Sequence, residues 1–275
     1  MSDARRAGAH ELAARGLRLA YDRASVVHNL DLTVPDGAVS VIVGANACGK
    51  STLLRGIARI MRPQAGTVTL DGADIHRLPT RAVARIVGLL PQQPNAPDGI
   101  TVADLAARGR HPHQRLLRQW SRDDDRVVAE ALAATGTLDL ADRRVDELSG
   151  GQRQRAWIAM ALAQDPDILL LDEPTSFLDV AHQIDVLDLL TELNRTRGTT
   201  VVMVLHDLNL AARYADHMIV MAAGRIVTRG APGEVVSAPT IRDAFGLECH
   251  IVADPVCGAP MVVPVGRFHR GGAPI

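Results

Sequence analysis

Lysine is almost missing from this chain: of its 30 basic residues, 29 are arginine and one is Lys50. An arginine fork suits bidentate partners, whereas an ammonium is a compact point charge that enters narrow pockets. The single exception therefore marks a place where only the compact cation fits. Aromatic residues are also scarce, 3% against 47% hydrophobic overall. A core of useful size is possible, but it has to be built from Ala, Leu, Val and Ile. No apolar run approaches the roughly 18 residues of a membrane span. The opening MSDARRAGAH lacks the apolar stretch of a secretory signal. These absences predict a cytosolic chain that reaches a membrane only through a partner. A formal net charge of −1 argues against a general nucleic-acid or anionic-lipid surface. The three cysteines, Cys48, Cys249 and Cys257, suit a reducing compartment, and no metal-ligand spacing accompanies them. The length of 275 residues allows one large domain or two small ones, and no repeat or low-complexity linker divides them.

Residues 16–33 alternate weakly between apolar and polar, as half-buried strands do. AVSVIVG (38–44) is a continuous apolar strand that runs into GANACGKST, and residues 51–60 follow with helical character. GTVTLDG (66–72) reads as a strand ending in an Asp-Gly turn. Residues 101–164 have helical spacing with little strand signal. DILLLDEP (167–174) and TTVVMVLHD (199–207) are continuous apolar runs, typical of strands covered on both faces, and a helical segment ending at Gly198 separates them. Residues 246–266 read as short strands broken by Pro and Gly. Alternating strands and helices imply an α/β fold with a mainly parallel sheet.

Three segments carry chemistry. Gly44, Gly49, Lys50 and Ser51 fit the phosphate-loop pattern, in the required order of strand, loop and helix. Backbone N–H groups of Gly44, Ala45, Asn46, Ala47, Cys48 and Gly49 would converge with a helix N-terminus on an anion. Lys50 would sit near the β- and γ-phosphates, Ser51 would ligate Mg²⁺, and Thr52 would reach the α-phosphate. In ILLLDEP (168–174) an aliphatic strand delivers Asp172 and Glu173 to its C-terminal end, where a parallel sheet has its ligand crevice. Asp172 would hold Mg²⁺ through its water shell, and Glu173 would face the water that attacks the γ-phosphate. In LSGGQRQR (148–155), Ser149, Gly150, Gly151 and Gln152 open a helix-spaced run and offer a second anion-binding helix end.

GANACGKST, LSGGQ, LLLDEPT and LHD, in this order and spacing, resemble the nucleotide-binding subunit of an ABC transporter, over roughly residues 11–266. The resemblance implies a P-loop ATPase with a mainly parallel core sheet, an antiparallel β subdomain and an inserted α-helical subdomain. Residues 11–247 would be one ATPase domain, its core and β subdomain at about 11–95 and 166–247 and its helical subdomain at about 96–165. Residues 248–275 would be a C-terminal extension. ATP and Mg²⁺ are the implied cofactors. Gln92, with Gln93 as the neighbouring alternative, resembles the glutamine that touches Mg²⁺ and the attacking water. Asp179 resembles an aspartate that crosses between protomers, His206 the histidine that contacts the γ-phosphate, and Tyr21 the aromatic that stacks on adenine. The family usually has proline where Ala45 stands and often glycine where Ala47 stands, which bears on loop rigidity. The implied assembly is a head-to-tail homodimer with two ATP molecules, each held by Lys50 of one subunit and Ser149 of the other. It would sit on the cytoplasmic face of the cell membrane with two integral permease subunits and a periplasmic or lipoprotein substrate-binding protein, without nucleic acid.

GITVADLAARGRHPHQ (99–114), Trp120 and the ending DPVCGAPMVVPVGR (254–267) resemble ATPases of bacterial iron(III)-siderophore importers, of the ferric enterobactin or ferric dicitrate type. Haem and cobalamin importers are the alternative, with soluble ABC ATPases of other classes behind them. Within that resemblance His111 and His113 decorate the helical block and bind no metal. Cys48, beside Lys50 at a helix start, is expected to have a lowered thiol pKa, so that its modification would block ATP; the alternative is a small residue that fills space.

Overall fold

The computed structural model describes residues 9–22, 24–114, 120–176, 178–266 and 268. Two sheets organise it. The first is four-stranded and antiparallel, in the order β2 (Ala24–Thr33), β1 (Leu12–Tyr21), β4 (Ala65–Leu70), β5 (Ala73–Asp74). The second has the order β10 (Arg225–Gly230), β9 (His217–Ala222), β3 (Val39–Gly44), β8 (Thr200–Val204), β7 (Ile168–Asp172), β6 (Val87–Leu90). All its pairings are parallel except β9 with β10. Every residue of β3, β7 and β8 is buried, as continuous Val/Ile/Leu runs require when both faces of a sheet are covered.

Two aliphatic cores hold these layers. One lies between the sheets, where α1 (Lys50–Ile57) contributes Leu53, Leu54 and Ile57 against Leu17, Leu19, Ile42 and Leu170. The other joins the opposite face of the six-stranded sheet to a helical block of α3 (Val102–Arg108), α4 (Arg122–Ala134) and α5 (Gly150–Ala163). Among the described residues, Trp157 is the one aromatic in the buried part of these cores. Inside the block, Arg110 Nε donates to Asp124 Oδ1 at 2.8 Å and Nη1 to the Ala163 carbonyl at 2.9 Å. That pair is nearly solvent-free, so removing either partner would strand a buried charge.

α2 (Thr80–Ile86) precedes β6, and α6 (Val180–Arg197) closes at left-handed Gly198. α7 (Leu208–Tyr214), α8 (Pro232–Val235) and α9 (Ala238–Phe245) follow β8 and β10. A final hairpin, β11 (Cys249–Ala253) with β12 (Pro260–Pro264), packs on α7. Asn209 and Val262 exchange two hydrogen bonds there, and Arg213 pairs with buried Asp254 at 2.7 Å. Residues 267 and 269–275 of the expected C-terminal extension lie outside the described residues. The helix expected over 51–60 ends at Ile57 instead, because Arg59 turns left-handed with φ 65° before Pro63. Strands β6, β9 and β10 add to those expected from the sequence: Gly88 interrupts the apolar run of β6, His217 opens β9, and β10 carries Arg225, Thr228 and Arg229. Among the described residues no helix is long and apolar enough to cross a membrane.

Candidate active site

The C-terminal ends of β3 and β7 lie side by side across β8, and the loops that leave them form the site. β3 stops at Gly44, where an added Cβ would strike the Met221 carbonyl and come within 2.6 Å of Cys48 Sγ. The loop then passes Ala47 (φ 60°) and Gly49 (φ 104°), both left-handed, and opens α1. Lys50 is only 5% exposed. Its Nζ donates to the carbonyls of Gly44 and Ala45 at 2.9 and 3.0 Å, folded back over the loop that would receive phosphate.

Ser51 Oγ donates to Asp172 Oδ1 at 2.7 Å. Asp172 is 2% exposed and its Oδ2 has no hydrogen-bond partner. Burial pushes its carboxyl above the usual range, against the Ser51 hydrogen bond and the Arg55 and Lys50 charges. A buried carboxylate oxygen left open beside a hydroxyl is a donor set that suits a hard divalent cation.

Glu173 follows at φ 54° and is the most heavily bonded carboxylate of the site. Its Oε2 accepts from Gln92 Nε2 at 2.5 Å and Ser176 Oγ at 2.8 Å, and its Oε1 meets His206 Nε2 at 2.6 Å. Burial alone would raise its pKa, but the bonds from Ser176, His206 and Gln92 outweigh burial and hold the carboxyl below its ordinary value. Gln92 is thus the member of the Gln92/Gln93 pair that reaches the site.

Tyr21 stands at the rim, 45% exposed, with its hydroxyl accepting from Arg55 Nη1 at 3.1 Å. It lines a cleft of about 560 Å³ with Asn46, Ala47, Gly49, Lys50, Ser51, Thr52, Gln92, Glu173 and His206, a volume within the range of small-molecule sites. Ser149 and its neighbours do not line this cleft. Ser149 caps α5: its Oγ accepts from Gln152 N at 3.3 Å, and Gln152 Oε1 accepts from Ser149 N at 3.1 Å. This capping box leaves Ser149 and Gly150 on the surface. Asp179 caps α6, accepting from His182 N at 3.0 Å and facing His182 Nδ1 at 2.8 Å. It also lies outside the cleft.

The family model of the ABC transporter matches residues 27–176, from β2 through the Glu173 turn. The chain belongs to that family. It is 54% identical over 256 residues to the achromobactin transport ATP-binding protein CbrD of Dickeya dadantii, covering 93% of this chain and 95% of that one. It is 54% identical over 251 residues to the ferric enterobactin transport ATP-binding protein FepC of Escherichia coli, covering 91% and 93%. Among solved structures, the inward-facing form of a transporter described as of the metal-chelate type superposes with a TM-score of 0.81 at 27% identity, covering 95% of this chain and 99% of that one. The mainly parallel sheet, antiparallel sheet and helical block are thus the architecture of an ABC ATPase, a protein that binds and hydrolyses ATP.

Two expectations about the loop of this ABC ATPase change. The Cys48 thiol is not activated: the residue is 6% exposed, and burial pushes its pKa up, more than the Lys50 charge and the loop N–H groups pull it down. Its sulfur fills the space beside Gly44. The Ala47 departure falls on a left-handed residue, where glycine would avoid a steric cost of about 1–2 kcal/mol. His113 hydrogen-bonds the Gln164 carbonyl at 2.8 Å, and burial lowers its pKa, so it ties the helical block together. Ser176, Arg55 and Val26, which also lines the cleft, are the site members that pattern reading missed. Ser176 sits in the Pro-Thr-Ser stretch right after Glu173, where a turn hydroxyl reaches back three residues; for Arg55 no sequence signal existed.

Proposed function

We propose that this ABC ATPase is the energising subunit of a bacterial importer for iron(III)-siderophore complexes. Two copies work on the cytoplasmic face of the membrane, with two permease subunits and a periplasmic or lipoprotein substrate-binding protein. Residues 11–247 form the ATPase domain, with the helical subdomain at about 96–165 inserted in it, and 248–275 extend it. The observation that carries the dimer is the split of the phosphate-facing groups. One cleft gathers Lys50, Ser51, Glu173 and His206, while Ser149 is exposed and outside it. A head-to-tail pair of chains would bring the Ser149 helix end of one copy over the Lys50 loop of the other.

In that site Lys50 exchanges its two carbonyl contacts for phosphate oxygens, and Tyr21 offers its ring to adenine. Ser51, Asp172 and Gln92 would hold Mg²⁺, which when bound neutralises phosphate charge. Glu173, ionised at neutral pH, takes the proton of the attacking water. His206 and the loop N–H groups face the charge that develops on the γ-phosphate. Siderophore specificity is tested by ATP-driven uptake into vesicles that contain the cognate permease, offered ferric siderophores, haem and cobalamin. Uptake of ferric siderophores alone is expected; uptake of haem or cobalamin instead would overturn the substrate assignment and leave the ATPase assignment standing.

A further inference from the structure

Glu173 does not stand on a regular strand. β7 ends at Asp172, and Glu173 is left-handed at φ 54°, a conformation that disfavours a branched or bulky side chain unless the surroundings fix it. The chain then turns through Pro174 and Thr175, and the Ser176 N–H closes the turn on the Glu173 carbonyl at 3.1 Å. The same residue closes a second link: Ser176 Oγ donates to Glu173 Oε2 at 2.8 Å. The turn is tied from outside by Gln154 of α5, whose Nε2 donates to the Pro174 carbonyl at 2.9 Å.

The other two partners of the Glu173 carboxylate come from separate segments: Gln92 follows β6, and His206 follows β8. Each has a further place in the ATP cycle, so each would leave Glu173 when nucleotide arrives. Ser176 is carried on the same turn as Glu173 and moves with it. We infer that Ser176 is a positioning residue, which holds the Glu173 carboxylate in one rotamer throughout the cycle while Gln92 and His206 exchange partners. This rests on the reading of Glu173 as the base.

The test uses the full-length chain and follows phosphate release against ATP concentration. Ser176→Ala is expected to lower kcat about tenfold, the scale of one hydrogen bond to a charged group, with KM for ATP unchanged. Ser176→Thr, which keeps the hydroxyl, is expected to restore kcat to within about twofold of wild type. In a Glu173→Gln background Ser176→Ala is expected to have no further effect. Wild-type kcat in Ser176→Ala overturns the inference, as does a loss that Thr fails to rescue, since that loss would come from the turn itself. Full turnover in Glu173→Gln alone would sink the reading of Glu173 instead, so the two failures are distinguishable.

Discussion

The loop at 44–52 and the segment at 148–155 both use glycines and a helix N-terminus, yet they are built to opposite ends. In the loop, Lys50 and Thr52 are buried and the polar groups converge: Lys50 lies over two carbonyls, Ser51 on Asp172, and Asp172 keeps one oxygen open. In the other segment, Ser149 and Gln152 satisfy one another at the surface and stand outside the cleft. In the proposed dimer, one half of the nucleotide site is assembled by folding, and the other is a helix cap whose remaining N–H groups would meet nucleotide held by the partner. A capped helix end at the surface, its remaining N–H groups open to water, costs little to expose.

The largest effect that could break this comparison comes from the base. Glu173→Gln is expected to slow phosphate release about a thousandfold, within the range general-base removal gives, while ATP still binds and a dimer accumulates in size-exclusion chromatography. A monomeric, ATP-loaded variant would show that the two halves need not meet. Next comes the exposed half. Ser149→Arg places a bulky cation at the helix cap and is expected to reduce turnover about a hundredfold, with ATP binding to the isolated chain within about threefold of wild type. Mixing Ser149→Arg with Glu173→Gln chains makes the comparison sharper still. Mixed dimers contain one site with both an intact Glu173 and an intact Ser149, so the mixture should exceed either parent; equal inactivity would place all of Ser149's role inside its own chain.

Legibility in the sequence followed the same division. The loop, the Asp172–Glu173 pair and the Ser149 segment were readable because each is contiguous and its spacing follows from its chemistry. The strands β3, β7 and β8 were readable because full burial on both faces writes an unbroken apolar run. What was not readable comes from contacts between segments. That Gln92 rather than Gln93 reaches Glu173, 81 positions away, depends on how β6 aligns with β7. That Cys48 is raised rather than lowered depends on the burial of its sulfur beside Gly44, which no local pattern encodes. The Lys50 charge and the loop N–H groups pull the thiol pKa down, and burial outweighs them.

Lys50→Arg tests the loop half alone. The ammonium sits 5% exposed and donates to two backbone carbonyls, and a planar guanidinium is wider than an ammonium. ATP affinity is expected to fall about tenfold or more, ~1.4 kcal/mol, by equilibrium titration with a fluorescent ATP analogue; wild-type affinity would refute the argument that the pocket selects a compact cation.

The smallest expected effect concerns the thiols, and it asks how closed the loop half is before nucleotide arrives. Cys257 is exposed, whereas Cys48 and Cys249 are buried, and burial raises the pKa of both. A thiolate-selective alkylating agent at neutral pH should therefore modify Cys257 first, with Cys48 slower by about tenfold or more. Alkylation of Cys257 should leave turnover unchanged, since the hairpin turn that carries it lies away from the cleft. The slow reaction at Cys48 should abolish ATP binding, because its sulfur lies beside Gly44 and any adduct there must displace the loop. ATP should slow that reaction further by holding the loop shut. Rapid labelling of Cys48 before Cys257 would mean that the loop opens freely in solution, and the contrast between an assembled half and a waiting half would then describe a transient state rather than the resting one.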